Sequence, residues 1–308
     1  MLLGISSCLT GNKVRYDGGH QYDRFAVEIL GKHLEYIPVC PEVGCGLPIP
    51  REAMRLVATG DGVSLLTRKT LKDITPQMEE WTEKQLEFLA QKPLCGFIFK
   101  SKSPSSGMTR VKIYSEQGLP VSSGSGIFAG AFMKRFPYLP VEEEGRLTDD
   151  GLRHSFLVRI FTMNRWHEFM AAGPSKSKLQ AFHASHKYLL MSFSPVQLRV
   201  LGKIPAQKDD LSADDYSNYL TMLMGGLSAR STTKKNVNVL EHMLGYFKKD
   251  LSPDEKKEML EIIRDYSEGK VPHSAPLTLM KHYVRKYREP YLENQWFLNP
   301  YPPELLIR

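Results

Sequence analysis

No run of apolar residues in this chain approaches the roughly 18 to 20 needed to span a bilayer. A membrane-crossing helix is excluded, and no membrane partner is expected. Met1 to Ser7 lacks a basic leading segment and is too short for a signal peptide, so the expected compartment is the cytoplasm. Cysteine is scarce: Cys8, Cys40, Cys45 and Cys95 all lie in the first third, and none follows. That pattern excludes a disulfide-dense scaffold; in a reducing compartment, clustered cysteines more often mean metal or catalysis. Histidine is sparse beside them. Only His20 and His33 lie near in sequence, whereas structural zinc usually takes four protein ligands. A full Gly-x-Gly-x-x-Gly is also missing; Ser122-Ser123-Gly124-Ser125-Gly126 is a weak substitute as a dinucleotide signal.

What is present fits two domains. A chain of 308 residues can bury two cores, and its apolar and charged fractions are those of an ordinary globular protein. The net charge of +7 is unevenly placed. Residues 1–150 hold 18 Lys+Arg and 18 Asp+Glu, whereas residues 151–308 hold 23 and 16. A basic second half could meet a polyanion or simply be a solvated surface.

The densest chemistry lies in Val39-Cys40-Pro41-Glu42-Val43-Gly44-Cys45-Gly46-Leu47-Pro48. The run from Leu34 to Val39 reads as a strand, and Pro41 stops it because proline has no N–H and a fixed φ. Cys40 and Glu42 then sit just past a strand's carboxyl end, where open α/β sheets carry their sites. Leu2 to Ser7 reads as the first strand, so Cys8 occupies the same kind of position. Arg15 and Asp17, in Val14-Arg15-Tyr16-Asp17-Gly18-Gly19-His20, could bind a polar ligand or pin a glycine turn. Asp23 to Leu30 reads as a helix capped by Asp23.

Further along, residues 56–66 read as a hairpin with a Gly-Asp-Gly turn, and Thr75 to Gln91 as an amphipathic helix. Cys95 to Lys100 is a strand, with Cys95 at its start acting as a small buried hydrophobe. It runs into Ser101-Lys102-Ser103-Pro104-Ser105-Ser106-Gly107, whose hydroxyls and ammonium could bind an anion or a heterocycle. Arg110 to Tyr114 is a short strand. Residues 122–126 then open a helix, Ile127 to Phe136, whose first N–H groups could hold an anion. The acidic stretch Glu142 to Asp150 marks a domain boundary. Three thiols at strand exits, Cys8, Cys40 and Cys45, suit zinc or an iron–sulfur cluster.

Ser6-Ser7-Cys8-Leu9-Thr10-Gly11, Val14-Arg15-Tyr16-Asp17-Gly18-Gly19, Cys40-Pro41-Glu42-Val43 and Lys100-Ser101-Lys102-Ser103-Pro104-Ser105 resemble the motifs of the thiouracil desulfidase family. The resemblance covers roughly residues 1–145. It implies a Rossmann-like domain holding a 4Fe–4S cluster by three cysteines, with the fourth iron open to the sulfur of a thiolated pyrimidine. Cys8 and Cys40 match two cluster ligands, Glu42 matches the acid/base carboxylate, and Ser101 and Ser103 fall in the active-site serine loop. The family's third cysteine is replaced here by Ser106. Either Cys45 supplies the third thiolate, or the cluster differs, or it is absent; Cys45, five residues from Cys40, is the expected choice. The implied reaction is non-redox and hydrolytic. The open iron takes the sulfur, Glu42 activates water, and Ser101, Lys102 and Ser103 orient the base. Arg15, Asp17, Ser105 and Ser106 complete the expected substrate contacts.

From Gly151 the texture is helical. Leu152–Met170, Ser175–Phe193, Ser212–Leu227, Thr233–Lys249, Ser252–Ser267 and Ala275–Tyr287 predict about six helices in a bundle, with Pro290 ending the last. His183 and His186 share a helix face, where a structural role is expected over a metal site. Lys281, Tyr283, Arg285, Lys286, Tyr287 and Arg288 interleave base and aromatic, which could grip phosphates and stack bases. Residues 236–242, 245–247 and 277–283 resemble the YbgA-type helical domain, covering about 152–308. The expectation is thus an α/β Rossmann-like domain over 1–148 followed by an all-α helical bundle over 152–308. Its function would be cluster-dependent desulfuration of a thiolated pyrimidine, as base, nucleoside or RNA residue. The competing class is a nucleic-acid-binding or sensory protein with a structural metal or cluster.

Overall fold

The structure, a computed structural model, describes residues 1–60 and 62–306. Two compact units divide it: residues 1–164 with the short segment after residue 303, and residues 165–303. The first unit is α/β and the second is helical.

The first unit holds two four-stranded sheets. Strands β1 (Leu2–Ser6), β2 (Glu35–Val39), β5 (Leu94–Phe99) and β8 (Val141–Glu143) form one, in the order β2-β1-β5-β8. Every pair in it is parallel. Strands β3 (Met54–Thr59), β4 (Gly62–Thr67), β6 (Val111–Tyr114) and β7 (Pro120–Gly124) form the other, in the mixed order β4-β3-β6-β7. The expected hairpin is the β3–β4 pair, with Thr59 opposite Gly62; Asp61 of its turn lies outside the described residues. The second sheet is not foreseen by the sequence reading. Residues 122–124 belong to strand β7, not to a helix-opening loop, because they complete the ladder with β6. Glu142 and Glu143, read as a boundary, are in a buried strand.

β5 is buried along its whole length, as a parallel strand covered on both faces must be. Its Phe97 and Phe99 meet Phe128 and Phe132 of α3 (Ile127–Arg135), at ring separations of 5.0 to 6.2 Å. Each such ring contributes about 1.5–3 kcal/mol by leaving water. This cluster fixes β5, and so fixes the serine loop that follows it. Asp23 caps as expected, accepting from Ala26 N–H at 2.8 Å, but the segment it opens is a π-turn over Phe25–Ile29 and then a 3-10 turn. Two further helices of this unit matter below: α1 (Pro41–Gly44) and α2 (Thr75–Ala90).

Helix α4 (Asp150–Ala171) contributes residues to both units. The second unit continues with α5 (Lys176–Phe193), α6 (Pro195–Leu201), α7 (Lys203–Ala206), α8 (Ala213–Ser228), α9 (Thr233–Leu244), α10 (Pro253–Ser267), α11 (Ser274–Tyr287) and α12 (Pro290–Glu293). The long helices follow the apolar periodicity. α6 and α7 were invisible to it because they are too short to show a period. Pro290 opens a turn instead of ending a helix; α11 stops earlier, at Arg288, which is left-handed at φ 50°. Ser252 and Glu255 form a full capping box at the start of α10. Among the described residues, no helix is long and apolar enough to cross a membrane.

The paired histidines of α5 serve the core. His186 is 2% exposed; its Nδ1 donates to Phe182 O at 2.7 Å, and its Nε2 accepts from Arg165 Nε at 3.0 Å. His183 Nδ1 meets Tyr219 OH at 3.0 Å. Burial pushes both imidazoles below the usual histidine value of 6.5, and the Arg165 cation adds to the shift at His186. The unfolded chain then binds protons that the folded chain refuses in the window below 6.5, so stability falls as pH is lowered through it. Thermal unfolding across that window should show a falling midpoint, and His186→Gln should flatten the fall. An unaltered profile in that variant would clear this imidazole of responsibility.

Candidate active site

The parallel register decides where the chemistry collects. Ser6 pairs with Val39, so the chain leaves β1 and β2 side by side. Phe99 pairs with Glu143, and Lys100 N–H donates to Ser6 Oγ at 2.9 Å. The four exits therefore present Ser7-Cys8, Cys40-Pro41-Glu42, Lys100-Ser101 and Glu144 along one edge, as the strand-end rule for open parallel sheets requires.

Each exit has a local reason for its shape. After Ser6 a 3-10 turn, Ser7–Thr10, carries Cys8 and ends on Gly11 at φ 92°. After Val39, Pro41 occupies the first position of α1, where its missing N–H costs nothing. That single turn lifts Glu42 off the sheet. Gly44 at its end lies under Trp81 of α2, where any Cβ would come within 2.3 Å of the indole. The serine loop is held from behind. Ser101 N–H donates to Glu144 Oε2 at 2.7 Å and its Oγ donates to Oε1 at 2.9 Å. Lys100 Nζ bridges Glu144 Oε1 at 2.5 Å and the Ser101 hydroxyl at 3.1 Å. Glu143 Oε1 accepts from Met108 N–H and Thr109 N–H. Gly126 admits the loop: a Cβ there would stand 2.5 Å from the Ser105 carbonyl carbon. The first N–H groups of α3 are spent on this packing, with Ile127 donating to Pro104 O and Ala129 to Ser105 O. They are not an anion site.

A cavity of about 380 Å³ opens between these loops. Cys8, Arg15, Cys40, Glu42, Ser101, Lys102, Ser103 and Ser106 all line it. Glu42 is held at both carboxylate oxygens. Oε1 accepts from Ser105 Oγ at 2.6 Å and Ser103 Oγ at 3.5 Å; Oε2 accepts from the Cys40 thiol at 3.4 Å and faces Arg51 Nη2 at 3.8 Å. Burial, then the Glu42 charge, pushes the Cys40 thiol up to about 12. Burial also raises Cys8, against the pull of the Arg15 and Lys100 cations.

Three predicted site residues stand off the lining. Ser105 is fully buried behind Glu42. Asp17 pins the glycine turn, with Oδ1 accepting from Gly19 N–H at 2.9 Å and facing Arg15 Nε at 3.8 Å. Cys45 turns into an apolar cluster with Met54, Leu56, Leu65 and Met78, its thiol donating to Glu42 O at 3.3 Å. Burial raises it as well. Cys95 is buried in β5. Among the described residues no three His, Cys, Asp or Glu side chains converge into a metal-binding group.

The sequence reading missed Arg51 and Arg68, which also line the cavity, and Glu144 behind it; Lys100 lines it too, though no role was assigned to it. Lys100 sits inside the quoted serine motif, so its signal was present. Arg51 follows Pro50 three residues before strand β3, and nothing local marks it. The basic aromatic stretch near the end of α11 gives no support for a nucleic-acid contact. Tyr283 is 2% exposed, and Tyr287 OH and Lys286 Nζ are both bound to Glu255, at 2.8 and 2.6 Å.

Comparison with known proteins follows the same division. Residues 3–144 match the family model of 2-thiouracil desulfurase, and residues 187–302 match that of a protein of unknown function, DUF1722. The chain is 29% identical over 156 residues to the uncharacterized protein YbgA of Escherichia coli (strain K12), spanning 50% of this chain and 92% of that one. It is also 29% identical over 144 residues to the uncharacterized protein YbbK of Bacillus subtilis (strain 168), spanning 45% and 93%. The solved structure of the 4Fe–4S-dependent thiouracil desulfidase TudS is 24% identical, covers 47% of this chain and 92% of that one, and superposes with a TM-score of 0.38. The chain thus joins an N-terminal segment that matches the 2-thiouracil desulfurase family model to a C-terminal segment that matches the DUF1722 model and is similar to YbgA.

Proposed function

We propose that the first unit removes sulfur from a thiolated pyrimidine by hydrolysis. The ring C=S and one water become C=O and hydrogen sulfide, with no net electron transfer. The observation that carries this reading is Glu42. A carboxylate stands in a closed-in cavity beside a thiol, braced by two serine hydroxyls, in the segment that matches the 2-thiouracil desulfurase family.

The implied cofactor is a 4Fe–4S cluster, and the donor chemistry suits it. Cys8 and Cys40 are two soft ligands on one cavity, and none of the four cysteines is in a disulfide. Cys45, at the end of the turn that carries Glu42, is the remaining thiol for a third ligand and has to leave the apolar cluster to serve. When bound, such a cluster supplies a soft iron that acts as a Lewis acid toward sulfur.

The chain's own residues do the rest. Glu42 Oε2 takes the proton from water as it attacks the ring carbon. Ser105 and Ser103 hold Oε1, so the carboxylate keeps one orientation through proton uptake and release. Ser101, Lys102, Ser106 and Arg15 line the cavity that would take the ring, with Asp17 bracing Arg15. Lys102 is left-handed at φ 61°, a backbone state that re-aims the loop toward the cavity. A reducing cytoplasm would keep the four cysteines as thiols.

Anaerobically reconstituted protein should release sulfide from 2-thiouracil. Glu42→Gln should lower kcat by about 100-fold or more with unchanged iron content; turnover near the parent rate would remove Glu42 from the reaction. Iron analysis separates the cysteines. Cys8→Ser, Cys40→Ser and Cys45→Ser should each lose the cluster and Cys95→Ser should keep it. Full iron in Cys45→Ser would rule that thiol out as the third ligand.

A further inference from the structure

Arg51 is the most poorly satisfied cation of the first unit. Its side chain is 7% exposed and lines the cavity. Nε and Nη1 are buried and find no hydrogen-bond acceptor among the described residues. The remaining nitrogen, Nη2, stands 3.8 Å from Glu42 Oε2, an ion-pair distance too long for a hydrogen bond. Glu52, the other carboxylate on the cavity, is already committed. Oε1 accepts from Lys69 N–H and Thr70 N–H, and Oε2 from Thr70 Oγ1 at 2.9 Å. A guanidinium with five donors and no hydrogen bond is costly to bury, and proteins rarely leave one so.

The backbone explains why Arg51 stays there. Its N–H donates to Tyr16 O at 2.8 Å, tying it to the loop that also carries Arg15. The guanidinium is thus held beside Glu42 without being bonded to it. Nε and Nη1 are sealed from the cavity, so Nη2 is the nitrogen that a molecule bound there can reach.

The geometry points to Arg51 as a specificity-determining residue that reads the exocyclic oxygen of the pyrimidine ring, the oxo group that is not replaced by sulfur. This rests on the desulfuration reading, which puts the attacked ring carbon at Glu42 and so puts the neighbouring ring edge at Arg51. An oxo oxygen has two lone pairs and accepts from a buried guanidinium without bringing a charge to be desolvated. A ring lacking that oxygen covers Nη2 without offering it an acceptor, and such sites discriminate because the penalty falls on the wrong ligand.

The test compares rings with and without the oxygen on the full chain. Turnover is measured for 2-thiouracil and for pyrimidine-2-thione, which lacks the oxo group. Binding is measured by calorimetry for uracil and pyrimidin-2-one, neither of which needs the sulfur chemistry. The parent protein should favour the oxo member of each pair by about tenfold or more. Arg51→Met should bring both ratios to within about twofold, and Arg51→Lys should fall between. Arg51→Met removes one side of the 3.8 Å pair with Glu42, so its melting temperature is recorded beside both ratios. A preference that persists in Arg51→Met overturns the assignment, as does a parent protein that binds uracil no better than pyrimidin-2-one. So does an equal loss for both rings with a lowered melting temperature, which is the signature of a purely structural arginine. If the parent releases no sulfide from either thione, the desulfuration reading fails by itself, while the uracil pair still decides whether Arg51 reads the oxygen.

Discussion

The register of four parallel strands governs this molecule. Ser6 opposite Val39, and Phe99 opposite Glu143, bring four chain exits to one edge. A one-residue slip would turn alternate side chains to the other face and separate Cys8 from Cys40. The register is in turn fixed by what the strands bury. Leu3, Ile5, Phe97 and Phe99 are fully enclosed, and the aromatic cluster beneath β5 leaves no room for sliding. A packing constraint thus sets a chemical one.

The second constraint is polar. A loop rich in serine and glycine has little apolar surface to hold it, so it is held by carboxylates. Glu144 grips Ser101 at backbone and hydroxyl, and Glu143 grips the chain at Met108 and Thr109. Both come from the short strand β8 and its exit, so the loop's position is inherited from the sheet. Glu42 then takes its orientation from that loop through Ser105 and Ser103. The order of dependence runs from strand pairing to acidic anchors, from anchors to serines, and from serines to Glu42.

This order explains what was legible in the sequence. Cys8, Cys40, Glu42 and the serine loop could be placed because each lies directly after an apolar run, and strand ends are readable from local pattern. The long helices of the second unit were readable for the same reason. The acidic run at 142–144 was misread because charge usually marks solvent, and only the fold shows that the buried Glu143 and the half-buried Glu144 satisfy a loop more than thirty residues away. Arg51 could not be read at all: its meaning lies in acceptors it does not have. Cys45 illustrates the converse. Proximity in sequence to Cys40 argued for the cavity, but one turn of helix rotates its side chain into the apolar cluster under α2.

The charges around the cavity form a coherent set once thiol chemistry is considered. Burial keeps Cys8 and Cys40 protonated, and the Glu42 carboxylate opposes thiolate formation at Cys40. Any soft metal centre must expel those protons, and it would then leave two or three thiolates beside a carboxylate in a confined space. Such an arrangement is unfavourable unless positive charge is near. Arg15, Arg51, Arg68, Lys100 and Lys102 all line the same cavity, whereas the whole of residues 1–150 has no net charge. The cations are therefore concentrated here by the fold, not by composition. They outnumber the two carboxylates on the cavity, Glu42 and Glu52, and a bound group carrying negative charge would offset them.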